Sequence, residues 1–489
     1  MTSNRNSDHK EAPIFNIPPH KKRRKTMKLC KRSLVLLTVV GMVLTLIACG
    51  SGNDTASQTS SQSIFNTSSE HTPTFSEIAK GYPQPSLYPY EAIPENIKGS
   101  TVRFATWEDE TAINSVVPLD RFHTDTGLKV ELCHVPKSGY LNTLISKIAS
   151  GNSPDVFVSD TGTNSFPLSL QIAAPINKVS SVNLRDYCWD APLNEMATIN
   201  GNVYFVSTYG SPWANGTLVY YNKRIFADNN LKTPESYRRD SKWTWDAMLE
   251  CARAIKSLGA NYKGIALDPT LVPHIFGTSF IKYDQKTKTF SNNVKDELLL
   301  KGLQQYNNAK IEGLLDGSLA AFENHKCGLL ISGTKDLRTN GIFNNMDPED
   351  IDYAMLPTLT ESGEGVFTND FRMYGICHKA PNADAAGYFI RYWLDPDNYD
   401  LQSSFLTPAA GQFYLSLTNE RAGNKSFWFD EAVMSLNGGL DDIRNPLLST
   451  DQDKLKKALN SVSNKVDKAV NAANALIQSK IAHDRDYYK

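Results

Sequence analysis

Three aromatic and six polar residues stand where they can grip a small polar molecule together. Trp107 and Glu108 follow the apolar run 101–106, and Asp160 and Thr161 follow the run 155–158. Tyr209 and Trp213 come after 203–206, Lys335 after 329–332, and Asp370 and Arg372 just before 373–377. A flat aromatic ring packs against a patch of C–H groups, while carboxylates and guanidinium groups hold hydroxyls through charge-assisted hydrogen bonds. That combination suits a pyranose. The carboxylates Glu108, Asp160 and Asp370 raise a second chemistry, glycoside cleavage, which needs two carboxyl groups about 5 to 9.5 Å apart. No motif supports it: the chain lacks G-x-S-x-G, H-E-x-x-H, a P-loop and an EF-hand loop. Five of the nine also have a structural alternative. Trp107 can cap a sheet edge, Tyr209 and Trp213 can pack between lobes, and Asp160 with Arg372 can form an ion pair across lobes.

Strands and helices must place these residues. The run 101–106 reads as a strand, and Ile113, Val116, Val117, Leu119 and Phe122 form a helical stripe that stops at Gly127. The segment 129–135 alternates as a strand. Tyr140, Leu141, Leu144, Ile145 and Ile148 mark a helix closed by Gly151, and 155–158 is a third strand. This β-α-β-α-β order implies parallel strands with crossover helices. Helices are also expected over 245–258, capped by Thr244, over 294–311 and 383–393, and over 454–481, broken once at most. Trp243 and Trp245 read as surface and cap packing, Phe276 and Phe280 as second-lobe wall or core, and Asp155 as a structural cap.

The chain has 489 residues, 40% hydrophobic and 21% charged, enough for a large core. Its first 48 residues hold 10 basic and 2 acidic side chains, leaving 41 basic and 50 acidic from Cys49 onward. A body about nine charges negative lacks the basic stripe that nucleic acid requires. Lys28, Lys31 and Arg32 precede an uncharged run of 16 residues, 33–48, shorter than the roughly 20 that span a membrane. The run ends in Leu46-Ile47-Ala48-Cys49-Gly50, which resembles the bacterial lipobox and implies that Cys49 is diacylated. Residues 1–26 then read as an upstream extension, 27–48 as a lipoprotein signal peptide, and 49–98 as a flexible tether and extended lead-in. Beyond Cys30 and Cys49, five widely spaced cysteines imply no metal site and no disulfide framework.

Six blocks in order resemble the extracellular solute-binding proteins of family 1, relatives of maltose-binding protein. They include Thr126-Gly127-Leu128-Lys129-Val130, Ile148 through Val156 with its Ser153-Pro154-Asp155-Val156, and Leu218 through Phe226. Trp243-Thr244-Trp245-Asp246, Ala320-Ala321-Phe322 with the residues to Leu329, and Tyr353 through Pro357 complete the series, across about 99–415. The resemblance implies an α/β, two-lobed periplasmic-binding-protein-like fold of type II over 99–489. Each lobe is a mainly parallel sheet flanked by helices, with the ligand cleft between lobes. On this reading lobe 1 comprises about 99–206 and 325–372, and lobe 2 about 207–324 and 373–489. In such open sheets ligands bind beyond the carboxyl ends of the strands, where seven of the nine residues stand; Asp370 and Arg372 lie just before a strand. The implied function is the substrate-binding component of an ABC importer: it takes up a sugar or oligosaccharide by hinge closure, and serves permease subunits with a cytoplasmic ATPase. The expected protein is a monomer without cofactor or catalytic activity, lipid-anchored at the outer face of the cell membrane. A glycan-cleaving enzyme, a ligand sensor and a surface lipoprotein are the alternatives. Two departures stand out: Thr334-Lys335 where many members carry an aromatic, and His325 where glycine is usual. Lys335 with Arg372 points toward an acidic sugar or another anion.

Overall fold

The computed structural model describes residues 72–85, 90, 93–160, 166–208, 215–337, 343, 345–359, 368–399, 405–420 and 426–487. The expected signal peptide over 27–48, with Cys49, Thr161, Tyr209 and Trp213, lies outside the described residues.

Five strands form the first sheet: β1 (Thr101–Thr106), β2 (Lys129–His134), β3 (Val156–Asp160), β4 (Ala173–Ala174) and, far along the chain, Arg372–Cys377. The third strand is buried along its whole length, as expected for one covered on both faces. Here β2 and β3 flank β1 in parallel, whereas Arg372–Cys377 runs antiparallel to β3 and to β4. Gly375 is required in that strand, because a Cβ there would meet the Phe157 and Phe205 rings at 2.8 Å. Helix Ala383–Trp393 seals one face, packing Phe389 and Trp393 on Phe104 at ring distances of 5.2 and 5.5 Å.

Two short hairpin strands follow β4, namely β5 (Thr198–Ile199) and β6 (Asn202–Val203). The second large sheet contains β7 (Asn215–Asn222), β8 (Lys263–Leu267), β11 (Cys327–Gly333), β12 (Ile351–Ala354), β13 (Thr368–Asp370) and β15 (Ser426–Phe427), in the order β15-β13-β7-β11-β8 with β12 on β7. The remaining hairpin pairs β9 (Ile281–Asp284) with β10 (Thr289–Asn292), and Arg372–Cys377 is β14.

The two sheets correct the expected lobe boundaries. Strand β11 pairs with β7 and β8 in the second sheet, and β14 pairs with β3 in the first. So 327–370 belongs with the second lobe and the strand beginning at Arg372 with the first, the reverse of the expectation for 325–372 and for the start of 373–489. The chain crosses between sheets through one residue, Phe371, which is buried against Phe429. Both sheets are mixed rather than mainly parallel, since β7 and β14 each run against their neighbours.

Local chemistry accounts for the other differences. The stripe at 113–122 is two helices, Glu110–Asn114 and Leu119–Thr126, because Pro118 interrupts it. The lead-in contains a helix, Phe75–Lys80, closed by a Thr74–Glu77 capping box, with Phe75 buried. Trp243 and Trp245 are core residues: the Trp243 indole N–H donates to the Met355 carbonyl at 2.7 Å, and Trp245 meets Phe276 edge-on at 4.7 Å. Phe276 and Phe280 are buried too. Asp155 is structural, accepting the backbone N–H groups of Arg103 at 2.8 Å and Asn382 at 2.6 Å. His325 takes a positive φ of 52°, the left-handed backbone that glycine adopts most easily.

Helix Gln452–Tyr487 runs unbroken for 36 residues, about 54 Å. It buries Val462, Val466, Ala469, Val470, Ala473 and Ile477, one stripe at steps of three and four. The Asn474 side chain pairs with both backbone groups of Phe290 in β10. Near its end Lys480 donates to the Ala173 carbonyl of β4 at 2.8 Å. Among the described residues no helix is long and apolar enough to cross a membrane. Cys133, Cys188, Cys251, Cys327 and Cys377 are all buried and unbonded to one another.

Candidate functional site

The carboxyl end of β1 is shaped by Tyr140. Its hydroxyl donates to the Ala105 carbonyl at 2.7 Å and accepts the Val158 N–H at 3.1 Å, so a side chain stands in for backbone pairing between β1 and β3. Direct pairing of those strands ends at Ala105 and Phe157. Beyond that point the chain turns at Trp107 and Glu108. The turn is fixed by the Glu108 N–H on Thr106 Oγ1 at 3.1 Å, and by Asp109, which caps the next helix. Trp107 stays half-buried, with its ring edge-on to Tyr140 at 5.0 Å.

Two ion pairs flank this indole. Arg372, the first residue of β14, lies opposite Asp160 in register, and its guanidinium donates to Glu108 at 3.0 Å while standing 5.1 Å from the Trp107 ring centre. Burial disfavours the Arg372 charge, yet Tyr374, Glu108 and Asp160 hold its pKa above the ordinary arginine value. Burial also pushes the neighbouring Tyr374 phenol up to about 12, against the pull of Arg372. The second pair joins Lys137 Nζ to Asp160 Oδ2 at 3.1 Å, with the ammonium 5.3 Å from the indole centre. Asp160 is only 6% exposed, and its other oxygen, Oδ1, has no hydrogen-bond partner among the described residues.

The structure thus brings Trp107, Glu108, Asp160 and Arg372 together at the carboxyl ends of β1 and β3. Asp160 and Arg372 do not pair ionically across lobes; they sit on adjacent strands of one sheet, each with its own partner. The expected anion preference loses Arg372, whose charge Glu108 already meets. Lys335 belongs to the second sheet, exposed on the turn that follows β11. Asp370 ends β13, its backbone opposite Asn215.

Sequence reasoning missed Lys137 and Trp428. Lys137 lies in the loop before helix Tyr140–Ala149, whose Gly139 cap has a φ of 78° that favours glycine. Trp428 follows β15. The parallel register of Asn369 with Phe427 sets it beside Asp370, two residues from Arg372. Its half-buried indole stacks on His274 at 4.1 Å and 10°. Asp430 holds that imidazole at 3.0 Å while accepting the backbone N–H groups of Phe280 and Ile281. The only sequence signal was an aromatic in a stretch lacking any family pattern.

A family model described as bacterial extracellular solute-binding protein matches residues 106–400. Among solved structures, the sugar-binding protein MalE of Xanthomonas citri superposes with a TM-score of 0.60 at 15% identity, covering 77% of this chain and 99% of its own. The galacto-N-biose and lacto-N-biose I-binding protein of Bifidobacterium longum gives 0.58 at 9% identity, covering 77% and 98%. The substrate-binding protein Lmo0181 of Listeria monocytogenes, solved with cycloalternan, gives 0.54 at 14%, covering 76% and 99%. These likenesses bear on the fold, two lobes with a cleft between them. No curated protein matches the sequence.

Proposed function

The chain belongs to the bacterial extracellular solute-binding protein family, and from that premise we propose that it captures a neutral saccharide for an ABC importer without altering it. The observation that carries this reading is the Trp107 indole, half-exposed beyond the carboxyl end of β1 and ringed by polar groups. An indole face takes the C–H patch of a sugar, while carboxylate and ammonium groups take its hydroxyls. The four charges on this wall, Glu108, Asp160, Lys137 and Arg372, cancel in two pairs, which favours a neutral ligand over an acidic one. Trp428, backed by His274, supplies a second aromatic face beside the crossing at Phe371. Both lobes then contribute, and closing about the crossings traps the guest.

Glu108 and Asp160 are each bound to a cation, an arrangement that supports holding rather than proton transfer. The lipobox supports an anchor on Cys49 at the outer face of the membrane, where the loaded monomer meets permease subunits. Thr161, Tyr209, Trp213, Lys335 and Asp370 complete the proposed ligand shell.

A thermal-shift panel of maltose, lacto-N-biose and cycloalternan, with acidic sugars as contrast, tests this. A ligand bound by the folded state alone adds about 2.7 kcal/mol at 100 times Kd. We expect a neutral sugar to raise the melting temperature and to be recovered intact. No stabilisation by any sugar, or sustained release of reducing ends, contradicts the proposal.

A further inference from the structure

The Lys137–Asp160 pair differs from an ordinary surface ion pair in how its members are held. Lys137 keeps 56% of its side-chain surface exposed, yet both its ends are fixed: its carbonyl accepts the Tyr140 N–H at 3.3 Å, and its ammonium rests on Asp160 at 3.1 Å. The same Tyr140 spaces β1 from β3 and braces Trp107. An ammonium has three N–H donors. The bond to Asp160 uses one of them. Asp160 is almost wholly buried, and its Oδ1 keeps an acceptor that no described residue uses. A buried carboxylate oxygen without a donor is costly, and a ligand hydroxyl can relieve it.

We propose that Lys137 and Asp160 act as one donor–acceptor unit that reads two adjacent hydroxyls of the saccharide seated on Trp107. One hydroxyl gives its hydrogen to Asp160 Oδ1, and its neighbour accepts from Lys137 Nζ. The unit therefore selects sugars with a free vicinal diol at the edge of the ring that stacks on the indole. A sugar substituted or deoxygenated at either of those positions leaves one half unmet. This inference rests on the carbohydrate reading of the same site.

The test uses calorimetric titration of the full chain with whichever of maltose, lacto-N-biose and cycloalternan stabilises it, together with monodeoxy derivatives of that sugar. Lys137→Met keeps the aliphatic stem and removes the donors; Asp160→Asn keeps the shape and removes the charge. Each variant should bind the parent sugar about 10- to 100-fold more weakly, in line with the loss of a hydrogen bond to a charged group. For one monodeoxy derivative the loss on Lys137→Met should vanish, because the interaction is already absent. The double variant should be little weaker than the weaker single variant. Wild-type affinity in Lys137→Met overturns the proposal. So does an equal loss for the parent and every deoxy derivative, which marks a role limited to shaping the indole. If Asp160→Asn does not fold, the Lys137→Met series decides alone. If no panel sugar binds the wild type, the carbohydrate reading itself fails and this inference falls with it.

Discussion

Two arginines of the first lobe stand in contrasting surroundings. Arg391 lies in helix Ala383–Trp393 away from the strand ends and donates to Asp186 at 2.7 Å, to Asp395 at 2.5 Å and to the Tyr90 hydroxyl at 3.1 Å. Both carboxylates are as buried as the arginine, and Tyr187 completes Asp395 at 2.9 Å. Arg372 instead faces a partly exposed Glu108 and an indole, beside an Asp160 that retains an unused oxygen. The first cluster is closed, and it pins the lead-in onto the lobe through Tyr90. The second keeps bonding capacity in reserve. Saturated polar networks hold a fold together, while networks with capacity left over are placed to take a ligand.

Substitutions should separate the two clusters. The largest effect on stability is expected at Arg391→Met, which strands two buried carboxylates and should cost about 3–5 kcal/mol in denaturant unfolding. If that variant folds, its sugar affinity should match the wild type; a selective loss of binding would break the comparison. Trp107→Ala should do the opposite, weakening sugar binding by about 10- to 100-fold through lost apolar contact. Its melting temperature should change little, since the ring is half-exposed. Tyr140→Phe belongs between the two. It removes the hydroxyl's bonds to the Ala105 carbonyl and the Val158 N–H while keeping the ring, so a cost of about 1–3 kcal/mol is expected together with weaker binding, because the ring that braces Trp107 is no longer anchored. A stability cost without any change in affinity would show that Tyr140 does not position the indole.

The smallest effect concerns the end of the long helix, where Lys480 lies 3.3 Å from Asp484 and the Tyr204 hydroxyl donates to Asp484. Burial lifts the Asp484 carboxyl to about 6 and lowers the Lys480 ammonium to about 8. For Asp484 the folded pKa lies above the unfolded one, so its contribution to stability is present at low pH and lost as pH rises through about 6. For Lys480 the folded pKa lies below the unfolded one, so its contribution is present at high pH and lost as pH falls through about 8. Between those two values both groups are charged and the pair helps least. The apolar double substitution Lys480→Met with Asp484→Leu should therefore raise the melting temperature most in that window, by a few degrees. A difference that does not vary with pH would exclude the titration of this pair.

Much of the first lobe can be read from local sequence. The first three strands and the helix at Tyr140 emerged within about two residues, because short apolar runs end at glycine or proline. The strand-end rule then points to Trp107, Glu108 and Asp160, and Arg372 reads as standing just before the run 373–377. What escaped depended on distant partners. Nothing within Arg372–Cys377 tells which sheet it joins; that is settled by pairing with Val156–Asp160, far earlier in the chain. Lys137 reads as a solvated loop charge until Asp160 is seen beneath it. Trp243 and Trp245 look like cap residues until Met355 and Phe276 close over them.

The central claim is that a neutral sugar settles on Trp107, and tryptophan fluorescence titration tests it most directly. With the stabilising sugar, the wild type should show a saturable change, and Trp107→Phe should show a smaller change at weaker affinity. An undiminished signal and an unchanged midpoint in Trp107→Phe would contradict the account.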